Sequence, residues 1–454
     1  MELFEQITAS VSSFLWGWPM IILLLGTHIF LTIRLKFPQR KIFTAIRLSF
    51  KKDPDSEGDV SQFGALATSL AATIGTGNII GVATAVAFGG PGAVFWCWLT
   101  GVFGIATKYA EGLLAIKYRV KTSSGEMLGG PMYALERGLK QKWLGILFCI
   151  FTAMAAFGIG STVQANSIAL LMQETYGVSE HITGIVVALG IALVIFFGVK
   201  GIARVCMTLV PLMAIFYIGG CIYILILNHA YLEEAFKLII SSAFTPHAAG
   251  GGFLGTSVML AARYGIARGL FSNESGLGSA PIVAAAAQTR NPVRQALVSS
   301  TGTFWDTVII CALTGLVLVT SVLAFPDIDY TQGGALTKAA FGKIPYVGTS
   351  ILAIGILTFA FSTILGWGYY SGKAIEYLGG KKLLRIYRVI WISSIYFGST
   401  MNLQAVWNIA DSVNALMAVP NLISLIFLSG IAVKETQKYL WENRLEDTAD
   451  PEDL

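Results

Sequence analysis

Apolar residues run along this chain in stretches of about 20, separated by short polar segments. That is the length a helix needs to cross a bilayer. The pattern predicts eleven spans, at 14–33, 63–88, 93–116, 143–172, 182–199, 203–227, 253–289, 297–324, 345–371, 384–400 and 403–432. Two are interrupted. Within 63–88, Ala72-Thr73-Ile74-Gly75-Thr76-Gly77-Asn78 sets glycines, threonines and an asparagine where hydrocarbon would be driest. Lipid offers a helix no outside hydrogen-bond partner, and glycine weakens a helix by about 1 kcal/mol per residue. Unwinding is therefore expected here, with the freed backbone groups facing an ion, a polar substrate or a protein-lined cavity. The second interruption is Leu270-Phe271-Ser272-Asn273-Glu274-Ser275-Gly276-Leu277-Gly278-Ser279-Ala280-Pro281, inside a stretch too long for one straight span.

With 14–33 set aside as an extra helix, the other ten spans divide into halves at 62–227 and 253–432, and each half opens on an interrupted helix. Five spans is an odd number, so the halves lie in opposite orientations. An inverted repeat with broken helices at the midplane is the sequence signature of a transporter binding site. Each half-helix N-terminus aims N–H groups and partial positive charge at the site, and each C-terminus offers carbonyls to a cation. The plainer alternative is that glycine and serine only permit close helix packing. Two interruptions at matching positions, one carrying a carboxylate, favour the binding site.

Composition agrees. The chain is 55% hydrophobic and 13% charged, with mean hydropathy +0.68, against about 25% charged residues in soluble domains. The expected class is an all-α polytopic membrane protein forming one transmembrane domain, 1–454. Twenty-five Lys and Arg residues fall after alternate spans or in the tail, and only Lys237, Lys338 and Lys343 on the other side. Basic residues stay cytoplasmic, which places the N-terminus outside and the C-terminus in the cytoplasm of a cell-membrane protein. The segment 34–61 is expected to lie along the inner surface, amphipathic from Phe37 to Phe50, and 433–454 to be a short acid-rich tail. The start, Met1-Glu2-Leu3-Phe4-Glu5, lacks the basic n-region of a cleaved signal, so the first span is expected to remain. A net charge of +5 spread over loops does not suggest nucleic acid. Five cysteines without C-x-x-C, four unclustered histidines and no nucleophile–base pair argue against a metal centre and an enzyme.

Gly89-Gly90-Pro91-Gly92-Ala93-Val94-Phe95-Trp96, Lys108-Tyr109-Ala110-Glu111, Gly129-Gly130-Pro131-Met132-Tyr133 and Ser272 to Pro281 resemble the alanine or glycine:cation symporter family over nearly the whole chain. That resemblance implies sodium-coupled uptake of alanine or glycine by alternating access, on a LeuT-type core of two five-helix repeats preceded by one extra helix. It implies no cofactor beyond the transported sodium. Ala72 to Asn78 further resembles the unwound segment of the bacterial leucine transporter. By that likeness the Thr76 and Gly77 amides, beside Gly75, bind the substrate carboxylate. The Thr73 carbonyl and Asn78 side chain lie at one sodium position. The Ala71 and Ile74 carbonyls lie at another, completed by Ser362 and Thr363 in a segment that begins with Phe359. Sodium is a hard cation that takes oxygen ligands, and these groups supply them. The hydroxyls can instead bond back to carbonyls of their own helix.

Further substrate candidates are Gln164, Phe271, Asn273, Gly276 and Trp367, with Asn166 expected to face the site beside Gln164. Ionisable groups inside spans count as functional candidates. Glu274 can attract an ammonium, balance a cation, cap the second half-helix or carry a proton. The last option would make the chain a proton-coupled transporter. Arg263 or Arg268 is expected to pair with Asp411 as an outer gate. Lys108 and Glu111, three apart, are expected to pair with each other, and Asp306 has no evident partner.

Overall fold

The computed structural model describes residues 2–449 except 54–55, 124, 246–256, 332, 346 and 402–403. The first residues of the 253–289 stretch, residue 403 and the tail beyond 449 lie outside the described residues. The chain is helical almost throughout, with a single two-stranded hairpin, Val120–Lys121 against Met127–Leu128, among the described residues.

Six described helices are long and apolar enough to cross a membrane: Gln6–Arg34, Lys142–Tyr176, Gly198–Leu227, Pro292–Ala324, Gly348–Thr400 and Asn408–Phe427. A seventh is the pair Gln62–Thr73 and Gly77–Gly89, bent by 53° at the first interruption. Gly92–Lys117, Glu180–Phe196 and Val258–Asn273 fall on three more of the expected stretches. The spans read as 345–371 and 384–400 are limbs of one helical trace, Gly348–Thr400, divided at Gly379 and the left-handed Gly380 (φ 66°).

Capping residues in the sequence start the helices beside the breaks. Ser61 accepts the Gly64 N–H at 3.0 Å ahead of Gln62–Thr73. Asn291, followed by Pro292, accepts the Arg294 N–H at 3.1 Å ahead of Pro292–Thr303. Gly92–Lys117 packs between Val258–Asn273 and Pro292–Thr303, and Glu111 on the first of these and Asp306 just beyond Thr303 are both buried. The outer faces are apolar and exposed, with Phe196 at 84%, Ile215 at 70% and Phe427 at 73%. Such a surface suits lipid.

Candidate functional site

The first break follows from Ile74, whose extended backbone (ψ 91°) ends Gln62–Thr73. The next residues turn and re-enter a helix through the π-helical segment Gly77–Gly81; π turns recur at functional sites. Thr76 and Gly77 lie in the first turn of this second half-helix, where the helix provides no acceptor for N–H groups. Asn78 braces the turn. Its Oδ1 accepts the Gly75 N–H at 2.9 Å, and its Nδ2 donates to Asp306 Oδ1 at 2.6 Å.

Five oxygens converge beside this break. The Ser362 hydroxyl reaches the Ala71 carbonyl at 3.2 Å and the Phe359 carbonyl at 2.9 Å. Thr363 Oγ1 reaches the Phe359 carbonyl at 2.9 Å and lies 3.5 Å from the Ile74 carbonyl. All five residues are buried. The close approach rests on two glycines. A Cβ on Gly75 would sit 2.6 Å from Thr363 Oγ1, and one on Gly366 2.6–2.8 Å from the Cα, N and Cβ of Ala72. The back-bonding foreseen for the two hydroxyls is present, but the same hydroxyls also face the carbonyls of the broken helix. At the other expected sodium position, that of the Thr73 carbonyl, the Asn78 side-chain oxygen is taken up by the Gly75 N–H.

The second break begins at Glu274, in the left-handed region (φ 53°), and continues through Gly276 (φ 90°) and Gly278 (φ 86°). Asn273 Oδ1 accepts the Ser275 N–H at 2.9 Å, while its buried Nδ2 has no partner among the described residues. The amides of Gly276 and Gly278 both donate to Glu111 Oε1, at 3.0 and 3.1 Å, and Asn421 Nδ2 donates to the same oxygen at 2.7 Å and to the Gly276 carbonyl at 2.9 Å. The helix-capping part considered for Glu274 thus belongs to Glu111, which makes no ion pair with Lys108 among the described residues. Glu274 accepts instead from the Ser279 hydroxyl at 2.5 Å and the Trp367 indole at 3.1 Å.

Asp306 joins the two breaks. Besides Asn78 it accepts from Ser272 at 3.1 Å, on the second broken helix, and from Thr307 at 2.6 Å. Gln164 is buried, donating to the Ile159 carbonyl at 3.1 Å with Oε1 unpartnered among the described residues. Asn166 is turned to helix packing, donating to the Gly398 and Met401 carbonyls at 3.2 and 3.1 Å. Phe271 lies against Gly77, 3.5 Å from where its Cβ would be.

A sequence profile of the sodium:alanine symporter family matches residues 1–452. The chain belongs to that family. It is 51% identical to the sodium/alanine symporter AgcS of Methanococcus maripaludis over 96% of this chain and 97% of that protein. It is 35% identical to a probable sodium/glutamine symporter, GlnT, of Bacillus subtilis over 96% and 91%. Among solved structures it shares the fold of MhsT in complex with L-phenylalanine (TM-score 0.54, 16% identity, covering 84% and 98%). It shares it equally with a Na+-coupled sialic acid symporter (TM-score 0.55, 13% identity, covering 92% and 88%). The symporter is a multi-pass membrane transporter and not an enzyme. Among its described residues no group of three or more His, Cys, Asp and Glu is arranged to hold a metal.

On one side of the symporter's breaks a cavity of about 130 Å³ is lined by Trp16, Arg263, Arg268, Phe271 and Asp411. The expected gate residues therefore meet, but they form no ion pair among the described residues. Arg268 lies over the Phe271 ring at 5.9 Å, and the Asp411 backbone carbonyl accepts the Trp16 indole at 2.8 Å. The opposite side is laced by hydrogen bonds and ion pairs. The Asp59 and Gln288 amides exchange 2.8 Å bonds with the Ala286 and Val60 carbonyls, tying the start of the first broken helix to the end of the second. Arg290 donates to Asp53 at 2.6–3.2 Å, and the fully buried Arg294 stands 3.6 Å from it. Tail residue Glu446 takes Arg294 at 2.9 Å and Lys51 at 2.8 Å, and the Ala449 amide donates to the Arg290 carbonyl at 2.8 Å. Burial pushes the Asp53 carboxyl up, but its Arg290 hydrogen bonds and the Arg294 charge more than offset this and hold it below the usual range. The Lys51 hydrogen bond, aided by the Arg294 charge, holds Glu446 low as well. Sequence reading missed this clasp and the Glu111–Asn421 brace.

Proposed function

We propose that this protein is a sodium-coupled importer of small neutral amino acids, alanine or glycine, working by alternating access. The observation that carries the reading is the convergence of the Ala71, Ile74 and Phe359 carbonyls with the Ser362 and Thr363 hydroxyls. Five neutral oxygens suit a hard monovalent cation, and they join the unwound segment to a neighbouring helix. Sodium there steadies the turn that presents the Thr76 and Gly77 amides to a carboxylate. By reciprocity, bound amino acid raises sodium affinity. Gln164, Asn273 and Trp367 surround the substrate, with Glu274 as the nearby anion, and Asn78 holds the turn rather than a ligand.

The architecture we assign is eleven spans, an extra helix before two inverted five-helix repeats. The basic side faces the cytoplasm, following the distribution of Lys and Arg. In this arrangement the cavity at Arg268 and Asp411 opens outward and the clasp of Asp53, Arg290, Arg294 and Glu446 closes the cytoplasmic side. Import draws on the sodium gradient and on the membrane potential, about 2.3 kcal/mol per charge per 100 mV. Alanine and glycine uptake into proteoliposomes under sodium, potassium or choline tests the proposal. Uptake is expected only with sodium; equal uptake in choline, or uptake driven by a pH gradient alone, would overturn it. Glu274→Gln is expected to keep sodium dependence, which a proton carried on Glu274 would not allow.

A further inference from the structure

At the basic end of the molecule a cavity of about 330 Å³ opens between the Glu180–Phe196 and Gly198–Leu227 junction and the two limbs of Gly348–Thr400. One wall is apolar, formed by Ile195, Val199, Ile202 and Leu384. Gly368 and Gly372 leave room at its base. The other wall is charged, and its charges are unevenly satisfied. Lys373 engages Glu126 at 2.9 Å and Glu376 at 3.0 Å, and Lys381 stands 4.0 Å from Glu126, so two lysines already face the two acids. Arg385 and Arg388, three apart and so on one helix face, line the same cavity. Neither makes a hydrogen bond or ion pair among the described residues. Arg388 feels Glu126 only at longer range. Tyr369 also lines the space; the residue is 5% exposed and its hydroxyl oxygen has no partner among the described residues.

We propose that this cavity binds the phosphodiester headgroup of an anionic phospholipid. Two guanidinium forks and a buried hydroxyl are a donor set for phosphate oxygens, which arginine engages bidentately. Next in sequence to lining residues stand exposed apolar side chains: Phe196 at 84% exposure, Phe197 at 70%, Ile386 at 56% and Val389 at 67%. An acyl chain can leave along Ile195, Val199 and Leu384 into that surface. Basic pockets between helices on the cytoplasmic side are where anionic headgroups settle. The inference uses the orientation proposed above but is independent of what is transported.

The test is thermal unfolding of the purified full-length protein in detergent, titrated separately with phosphatidylglycerol, phosphatidylcholine and inorganic phosphate. A lipid that binds the native state raises the midpoint. Phosphatidylglycerol is expected to stabilise, and the other two are not. Arg385→Gln/Arg388→Gln is expected to weaken phosphatidylglycerol binding about thirty-fold, the equivalent of roughly 1 kcal/mol for each basic residue at a charged membrane surface. Arg385→Lys/Arg388→Lys keeps most of the effect. Tyr369→Phe, which needs no change of charge, loses a smaller part and serves if the double glutamine variant does not fold. Equal stabilisation by phosphatidylcholine or by inorganic phosphate would overturn the proposal. So would a phosphatidylglycerol effect unchanged in the glutamine and phenylalanine variants. None of these readings depends on sodium or alanine, so failure here leaves the transport reading untouched.

Discussion

Gly75→Ala is the sharpest probe of the five-oxygen site. The added Cβ would meet Thr363 Oγ1 at 2.6 Å, well inside contact distance. Gly75 has no positive φ, so alanine suits the backbone and the effect is confined to that contact. Threonine is stiff at χ1, so its hydroxyl cannot edge aside; it must change rotamer and leave the Ile74 and Phe359 carbonyls. Overpacking of this kind costs about 1–3 kcal/mol, and a lost hydrogen-bonding oxygen toward a charge costs about 1.5–3 kcal/mol. Sodium affinity should therefore fall by roughly ten- to a hundred-fold, at 1.4 kcal/mol per decade. The assay is sodium-dependent thermal stabilisation of purified protein, paired with sodium titration of alanine uptake. Gly81→Ala is the control, because a Cβ there meets nothing within 4 Å. A Gly75→Ala protein whose half-saturating sodium stays within about two-fold of the parent would refute the placement of Thr363 in the site, since the predicted loss is at least five times larger.

Glu111→Ala strips one acceptor from three buried donors, the Gly276 and Gly278 amides and Asn421. Each unsatisfied donor costs about 1–3 kcal/mol, so the melting midpoint should drop steeply; Glu111→Gln, which keeps an oxygen, should drop it less. Gly366→Ala drives a Cβ into the backbone of Ala72 at 2.8 Å. It should weaken sodium binding without touching any proposed ligand, read by the same stabilisation assay. The clasp should respond to pH. Asp53 and Glu446 are both held below the usual carboxylate range, so the stability they add is present at neutral pH and lost as pH falls through the acid range. Protease cleavage near residue 445 should rise on acidification, and Glu446→Gln should already be cleaved at neutral pH. Cleavage that increases on alkalinisation would contradict the sign.

What could be read from the chain was whatever is local. Glycine, threonine and asparagine in an apolar run mark the first break because the cause, a weak helix, lies in the same seven residues. The hydroxyl pair at Ser362 and Thr363 and its meeting with Ala71 and Ile74 follow from resemblance alone, since no local signal joins segments 289 to 291 residues apart. Partners across helices were out of reach. Glu111 and Lys108 look like a pair at helical spacing, yet Glu111 turns to amides 165 and 167 residues away. Asp306 had no partner in sequence because its partners sit on the two breaks, 228 and 34 residues distant. Asn166 shows the opposite error: polarity on a site-facing helix was spent on the carbonyls of a neighbouring helix.

The clasp also has a kinetic character. Its tail segment hangs from a fixed point, since Tyr109 bonds Thr436 at 3.0 Å and Lys117 pairs with Glu435 at 3.0 Å. From Trp441, where that helix ends, to Glu446 is a tether of five residues, spanning at most about 17 Å. Short tethers hold a group at millimolar effective concentration. Glu446 therefore finds its arginines again after every release without any strong intrinsic affinity. A free peptide copying residues 442–449 would need about millimolar concentration to compete with the segment that the chain carries itself.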